Sequence, residues 1–284
     1  MDEVNNIPLE CKYHIAICFC VRNCGRYLHK IFKNIKLLTD NNEYKISCIF
    51  AYDNCTDSSE QLLKEYKTNS NHDVYLKHID NISPLRTVRI ATARNACLDV
   101  IYNELTFVSH HIMADCDNIN IHRWNIDTIH KCITNYDNDD WDCISFNRRR
   151  YYDIWALLID DFKHHCWGFG DKSSDVVHSM RRYIINKLNN SAENSIYCLS
   201  AFNGFAIYKT EKFKEIRYDG TYNNMKSLIT DEERENTIQA FKTKYDIADI
   251  VIDHARPECC EHIFYHLSAA HKNNCIIKIS KFSV

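Results

Sequence analysis

Four apolar runs separated by three helical stripes occupy the first 117 residues, and that alternation restricts the chain to few architectures. Residues 13–21, YHIAICFCV, are an apolar run with polar flanks, the pattern of a buried strand. From residue 26 to 38, apolar side chains recur at Tyr27, Leu28, Ile31, Phe32, Ile35 and Leu38, one face of a helix. Residues 44–51, YKISCIFA, predict a second strand running into the polar Tyr52-Asp53-Asn54. Asp57 and Glu60 make a capping-box-like start for a helix over 58–67. Residues 74–79 read as a third strand, and 87–102 as a helix with Ile90, Ala91, Ala93, Ala96, Cys97, Val100 and Ile101 inward. A fourth strand over 106–114 ends at Asp115-Cys116-Asp117. This order predicts an α/β fold with a mainly parallel central sheet flanked by helices. Ligands in such sheets bind at the carboxyl ends of the strands, where Asp53 and the Asp115/Asp117 pair both fall.

The second half is less regular. Helices are expected over 124–135, 154–162, 175–188 and 260–272. Strands are expected over 141–147, 201–208 (broken at Asn203-Gly204), 247–253 and 275–279. No repeat and no Pro/Ser/Gly linker divides the chain, so a single domain over residues 1–284 is expected.

Glycine scarcity removes several function classes. The five glycines, Gly25, Gly168, Gly170, Gly204 and Gly220, form neither a Walker phosphate loop nor a GxGxxG fingerprint nor a GxSxG elbow. Turns then fall to Asn and Asp, as at Asp40-Asn41-Asn42, Asp137-Asn138-Asp139-Asp140 and Asn189-Asn190. Abundant Asn, Ile, Lys and Tyr beside scarce Gly and Pro is the usage of an AT-rich genome. A net charge of −3 argues against a basic nucleic-acid-binding surface, so no nucleic-acid partner is expected. The acidic, polar start lacks a secretion signal, and no 18-residue apolar run exists, so no membrane span is expected. The 15 cysteines then read as reduced, buried thiols of a cytoplasmic protein. Cys20-x-x-x-Cys24 and Cys259-Cys260 are the nearest approach to zinc knuckles.

Asp115-Cys116-Asp117 carries the chemistry. Alternate residues leaving a strand present two carboxylates to one hard cation, which keeps sites for phosphate oxygens. Such a cation neutralises charge on a diphosphate leaving group. Asp-x-Asp alone also occurs in solvated turns; its position after an apolar strand favours the metal reading.

Around it, ordered segments carry a family resemblance: Val21-Arg22-Asn23 before Tyr27-Leu28, YDNCTDSSEQLL (52–63), Ala93-Arg94-Asn95, MADCDN (113–118), FNGFAIYKTEKF (202–213) and ECCEHIFYHL (258–267). On these the chain resembles the GT-A (Rossmann-like) glycosyltransferases of the family 2 type. It is also similar to giant-virus glycosyltransferases, procollagen galactosyltransferases and capsule-associated mannosyltransferases.

The resemblance implies a nucleotide-binding half at about 13–120 and an acceptor and catalytic half at about 121–284. Asp53 would contact the nucleoside, and Arg22, Arg89 and Arg94 the diphosphate. Asp115 and Asp117 would hold Mn²⁺ or Mg²⁺, with His262 supporting the metal or diphosphate. Asn203-Gly204 stands where the family has Gly-Gly at the sugar pocket. Glu261-His262 stands where it has Glu-Asp, which makes Glu261 the implied base and Glu258 the second candidate. His266 lies one turn beyond His262.

The implied activity is transfer of one hexose, with inversion, from a UDP- or GDP-sugar to a hydroxyl of a glycan, protein or lipid-linked acceptor. A viral protein of the host cytoplasm or the virion is the implied setting. The alternatives are a sugar nucleotidyltransferase, which lacks its Gly-rich loop here, and a non-catalytic carbohydrate-binding relative, which would not need Asp115 and Asp117. Arg148-Arg149-Arg150 with Tyr151-Tyr152-Asp153 reads as a solvated loop, or else as a site for an anionic acceptor. Trp155 and Trp167 read as core before sugar platforms.

Overall fold

A computed structural model describes residues 11–41, 43–80, 83–135, 140–148 and 150–284. In chain order the elements are β1 (Tyr13–Val21), α1 (Gly25–Thr39), β2 (Tyr44–Tyr52), α2 (Ser59–Asn69), β3 (Asp73–His78), α3 (Arg86–Asn103), β4 (His110–Asp115), α4 (Ile126–Thr134) and β5 (Cys143–Phe146). They continue with α5 (Ser173–Asn190), β6 (Ser195–Cys198), β7 (Phe205–Lys209), α6 (Tyr222–Lys226), α7 (Asp231–Tyr245), α8 (Glu261–Asn273) and β8 (Ile277–Ser280). One sheet of eight strands runs β3-β2-β1-β4-β7-β5-β8-β6. β7 and β6 run antiparallel to their neighbours and the other pairings are parallel, so the sheet is mainly parallel.

β1 shows why both faces are covered. Its alternate residues Ile15, Ile17, Phe19 and Val21 pack with Leu28, Ile31 and Ile35 of α1 and with Leu63 of α2. Ala16 and Cys18 point the other way, toward Ala91, Cys97, Leu98 and Ile101 of α3. A strand buried on both faces has no polar alternation, which is why the run 13–21 is apolar but for His14. The order reverses between β1 and β4, which opens a crevice at their carboxyl ends.

Asn and Asp do make turns in place of glycine. Among the described residues, seven of the ten non-glycine residues at positive φ are Asn or Asp: Asn23, Asn54, Asp160, Asn203, Asp246, Asp249 and Asn274. Asn42 and residues 137–139 of the expected turns lie outside the described residues. None of the 15 cysteines is in a disulfide. Among the described residues no helix is long and apolar enough to cross a membrane.

Several expectations fail. Residues 154–162 form no helix but a buried, turning segment bridged at Leu158–Ser200. Residues 247–253 form no strand, and Val251 is exposed. β4 begins only at His110, because Phe107 takes a left-handed φ of +53° and faces solvent. The N-cap of α2 is Ser58, which makes no side-chain cap bond; Asp57, one residue earlier, accepts the Ser59 N–H at 2.9 Å, and Glu60 pairs with Lys64, so no capping box forms. β6, α6 and α7 were not anticipated.

Four histidines on and around this sheet, His110, His111, His165 and His266, are buried, and burial favours their neutral form. Burial pushes His111, His165 and His266 down to about 3, and burial then Lys209 push His110 to about 4. Unfolding returns them to about 6.5, so below that pH the unfolded chain binds more protons, and stability falls as pH falls toward the native values. Each such group costs up to about 1.4 kcal/mol per pH unit. Circular-dichroism melts are expected to be level between about pH 8 and 7 and to drop steeply between about 6 and 4.5. A melting temperature that holds to about pH 4.5 would contradict their neutral burial.

Candidate active site

A cleft of about 500 Å³ opens at the carboxyl ends of β1, β2 and β4. Register places its floor: Cys20 pairs with Ala51 on one side and Asp115 on the other, and all three line it. A larger groove of about 930 Å³ lies between α5 and α7, far from these strand ends. Two of its three cations are neutralised locally, Lys187 by Asp160 and Lys244 by Asp161, and it lacks the acidic pair, so the smaller cleft is the better candidate.

The centre of the cleft is Arg94, only 3% exposed. Its Nε donates to Glu261 Oε1 at 3.0 Å and its Nη2 to Asp115 Oδ1 at 3.3 Å. The guanidinium lies over the Phe202 ring at 4.7 Å, and Nη1 is buried without a hydrogen-bond partner. Tyr152 donates its hydroxyl to Asp115 Oδ2 at 2.7 Å, so both oxygens of Asp115 are engaged. At the other end Arg22 Nε stands 3.4 Å from Asp53 Oδ1, which is buried and otherwise unpartnered.

Asp117 Oδ1 accepts the Ile119 N–H at 2.9 Å. Burial, then the charge of Asp115, raise its carboxyl. Two hard-oxygen donors crowded in this way fit a divalent cation, which offsets the excess negative charge. Among the described residues no three His, Cys, Asp or Glu side chains form a metal cage, so other ligands would have to come from water or substrate.

The structure gathers Arg22, Asp53, Arg89, Arg94, Asp115, Asp117, Glu261 and His262 on the cleft wall. His262 stacks on Phe202 with ring centroids 3.8 Å apart. Its Nδ1 is 3.4 Å from the Tyr208 hydroxyl and its Nε2 3.8 Å from Glu261 Oε1. Burial, then Arg94, lower its pKa well below the usual value. His266 is a satisfied core residue, bonded to Ser200 Oγ at 3.0 Å and the Tyr208 hydroxyl at 3.1 Å.

Glu258, Asn203 and Gly204 do not line the cleft. Glu258 Oε1 accepts the Thr87 N–H at 3.1 Å, in the first turn of α3. Asn203 and Gly204 form a frame behind Asp115. The Asp115 N–H donates to Gly204 O at 3.0 Å, and Asn203 Oδ1 accepts the Asp153 N–H at 3.2 Å. Gly204 has φ +84°, and a Cβ there would meet Ile119 Cγ2 at 2.5 Å and the Tyr152 hydroxyl at 2.9 Å.

Arg148 is no solvated loop residue. It donates to Asn203 O at 3.0 Å, Ile119 O at 2.9 Å and Asn120 Oδ1 at 2.6 Å, stapling the loop that follows Asp117. Arg149 lies outside the described residues. Trp155 lines the cleft, and Trp167 is 39% exposed, so neither is simple core.

Sequence reasoning missed Arg86, which lines the cleft one turn before Arg89. The Arg86-x-x-Arg89 spacing was the available signal. Tyr152 and Asp153, read as loop residues, also line the cleft.

No protein-family model and no curated protein matches the chain. Solved structures similar to it include S. aureus TarS 1–349 in complex with UDP-GlcNAc, at 13% identity and TM-score 0.47, over 94% of this chain and 56% of that one. The mannosyltransferase PcManGT from Pyrobaculum calidifontis, in complex with GDP-Man and Mn²⁺, is 11% identical with TM-score 0.42, over 72% and 47%. Glucosyl-3-phosphoglycerate synthase from Mycobacterium tuberculosis, in complex with Mn²⁺, UDP and phosphoglyceric acid, is 11% identical with TM-score 0.41, over 81% and 64%. The matched region thus spans from 47% to 64% of these solved chains.

Arg94→Met keeps the length of the side chain and removes its charge, leaving Glu261 buried without its cation. Breaking such a pair costs about 3–5 kcal/mol. Urea unfolding of the variant should show a loss of that size; a loss under about 1 kcal/mol would mean that the pair is not buried as described.

Proposed function

We propose that the chain is a metal-dependent glycosyltransferase that takes a sugar from a nucleoside-diphosphate sugar at this cleft. The observation that carries the proposal is the pairing of Asp115 and Asp117 at the end of β4, beside three arginines on the cleft-facing side of the first half of α3. An acidic pair facing Arg86, Arg89 and Arg94 suits a cation-bound diphosphate. Asp53 Oδ1 at the end of β2, which makes no hydrogen bond and only a 3.4 Å ion pair with Arg22, suits an N–H or O–H donor of the nucleoside.

Asp115 and Asp117 would hold the cation, Mn²⁺ or Mg²⁺, and when bound it supplies charge neutralisation on the diphosphate. Arg94 keeps Asp115 and Glu261 in place rather than reaching freely for substrate, since two of its nitrogens are already bonded. Arg22, at the cleft mouth and half exposed, is free to shift from Asp53 to a phosphate. The donor is a UDP- or GDP-sugar and the acceptor a hydroxyl of a glycan, protein or lipid-linked sugar; inversion and transfer of a hexose belong to the same proposal.

Calorimetric titration with UDP and with GDP tests it. One of them should bind in Mn²⁺ and lose about 10- to 100-fold in affinity in excess chelator or in Asp117→Asn, which keeps the Oδ1 acceptor for Ile119. Asp53→Asn should weaken the same nucleotide by about 1–3 kcal/mol. Equal binding with and without metal, in wild type and Asp117→Asn alike, would sink the proposal.

A further inference from the structure

Transfer to a hydroxyl requires a group that takes its proton. Five carboxyl groups line the cleft: Asp53, Asp115, Asp117, Asp153 and Glu261. Glu261 Oε1 is bonded to the buried Arg94 guanidinium, and Asp115 is held by Arg94 and Tyr152. Asp117 belongs to the acidic pair, and Asp53 faces Arg22 at the nucleoside end. Asp153 stands apart. Among the described residues its carboxylate pairs with no cation and is held only by backbone N–H groups, that of Ala156 to Oδ1 at 3.3 Å and that of Asn203. Its backbone is pinned by Asn203 Oδ1, so the side chain is presented from a fixed frame. Trp155, two residues on, lines the same cleft, with the Arg256 guanidinium over its ring at 5.5 Å.

We infer that Asp153, not Glu261, is the proton acceptor for the incoming hydroxyl, an inference that rests on the sugar-transfer proposal above. As the acceptor oxygen bonds to the anomeric carbon, its proton passes to the Asp153 carboxylate. The bond from that carbon to the diphosphate oxygen breaks, and its electron pair leaves with the nucleoside diphosphate. Burial, then the charges of Asp115 and Glu261, raise the Asp153 carboxyl above the usual carboxylate range, the direction a proton acceptor needs. Glu261 is then a positioning residue, holding Arg94 and through it Asp115.

The test uses the whole chain with Mn²⁺ and four donors, UDP-glucose, UDP-galactose, UDP-GlcNAc and GDP-mannose, with water as acceptor and nucleotide release as readout. Asp153→Asn should keep its melting temperature and its affinity for the released nucleotide while release falls by about 10²-fold or more. In Asp153→Ala, azide, a nucleophile with no proton to lose, should restore release and give a glycosyl azide, which a merely structural role would not produce. Release by Asp153→Asn within about threefold of wild type, or azide rescue in Glu261→Ala but not in Asp153→Ala, would overturn the assignment. Failure of the wild type to bind either nucleotide would instead overturn the sugar-transfer proposal, and this inference with it.

Discussion

A guanidinium taken out of water must be met by anions, and Arg94 meets two. Its partners come from distant parts of the chain, Asp115 from the end of β4 and Glu261 from the start of α8. The pairing therefore fixes α3, β4 and α8 relative to one another. Desolvation makes the arrangement demanding, because any one of the three charges left alone would be far more costly than the trio together. Phe202 and Tyr218 close over the guanidinium and keep water from relaxing that demand.

The acidic pair is framed from behind by polar contacts to backbone rather than by glycine loops. Asn203 adopts the left-handed conformation, Gly204 lets Ile119 and Tyr152 approach, and Arg148 bonds three oxygens in one fork. With five glycines in the chain, asparagine supplies much of the backbone bending. The single glycine at position 204 sits where a Cβ has no room. Tyr152, whose hydroxyl holds Asp115, belongs to the same packing, so the shape of the cleft and the backing of its acids are one structure.

The first half of the fold was legible because its strands and helices differ in period. β1 is apolar but for His14 and α1 carries a clean stripe, and both fell where expected. Residues 154–162 misled because residues 156–159 are buried in succession, which leaves no period to read. α7 was missed for the opposite reason: it buries few apolar side chains, although Thr230 and Glu233 form a full capping box that its sequence displayed. In the site, Asp53, Asp115 and Asp117 were visible from their place at strand ends. The engagement of Glu258 with Thr87, of Arg148 with the loop after Asp117, and of Glu261 with Arg94 was not. Those contacts join residues far apart in the chain, and single-sequence spacing carries no record of them. Asp153 was likewise visible only as one acid in a loop until folding brought Asp115 and Glu261 near it.

The central claim is that nucleoside diphosphate binds where β1, β2 and β4 end. A crystal structure of the protein grown with Mn²⁺ and whichever of UDP or GDP binds tests that claim most directly. The account predicts the diphosphate between the Asp115/Asp117 pair and the start of α3, with the nucleoside at Asp53. Nucleotide seated in the groove between α5 and α7, with the strand-end cleft holding only solvent, would contradict it.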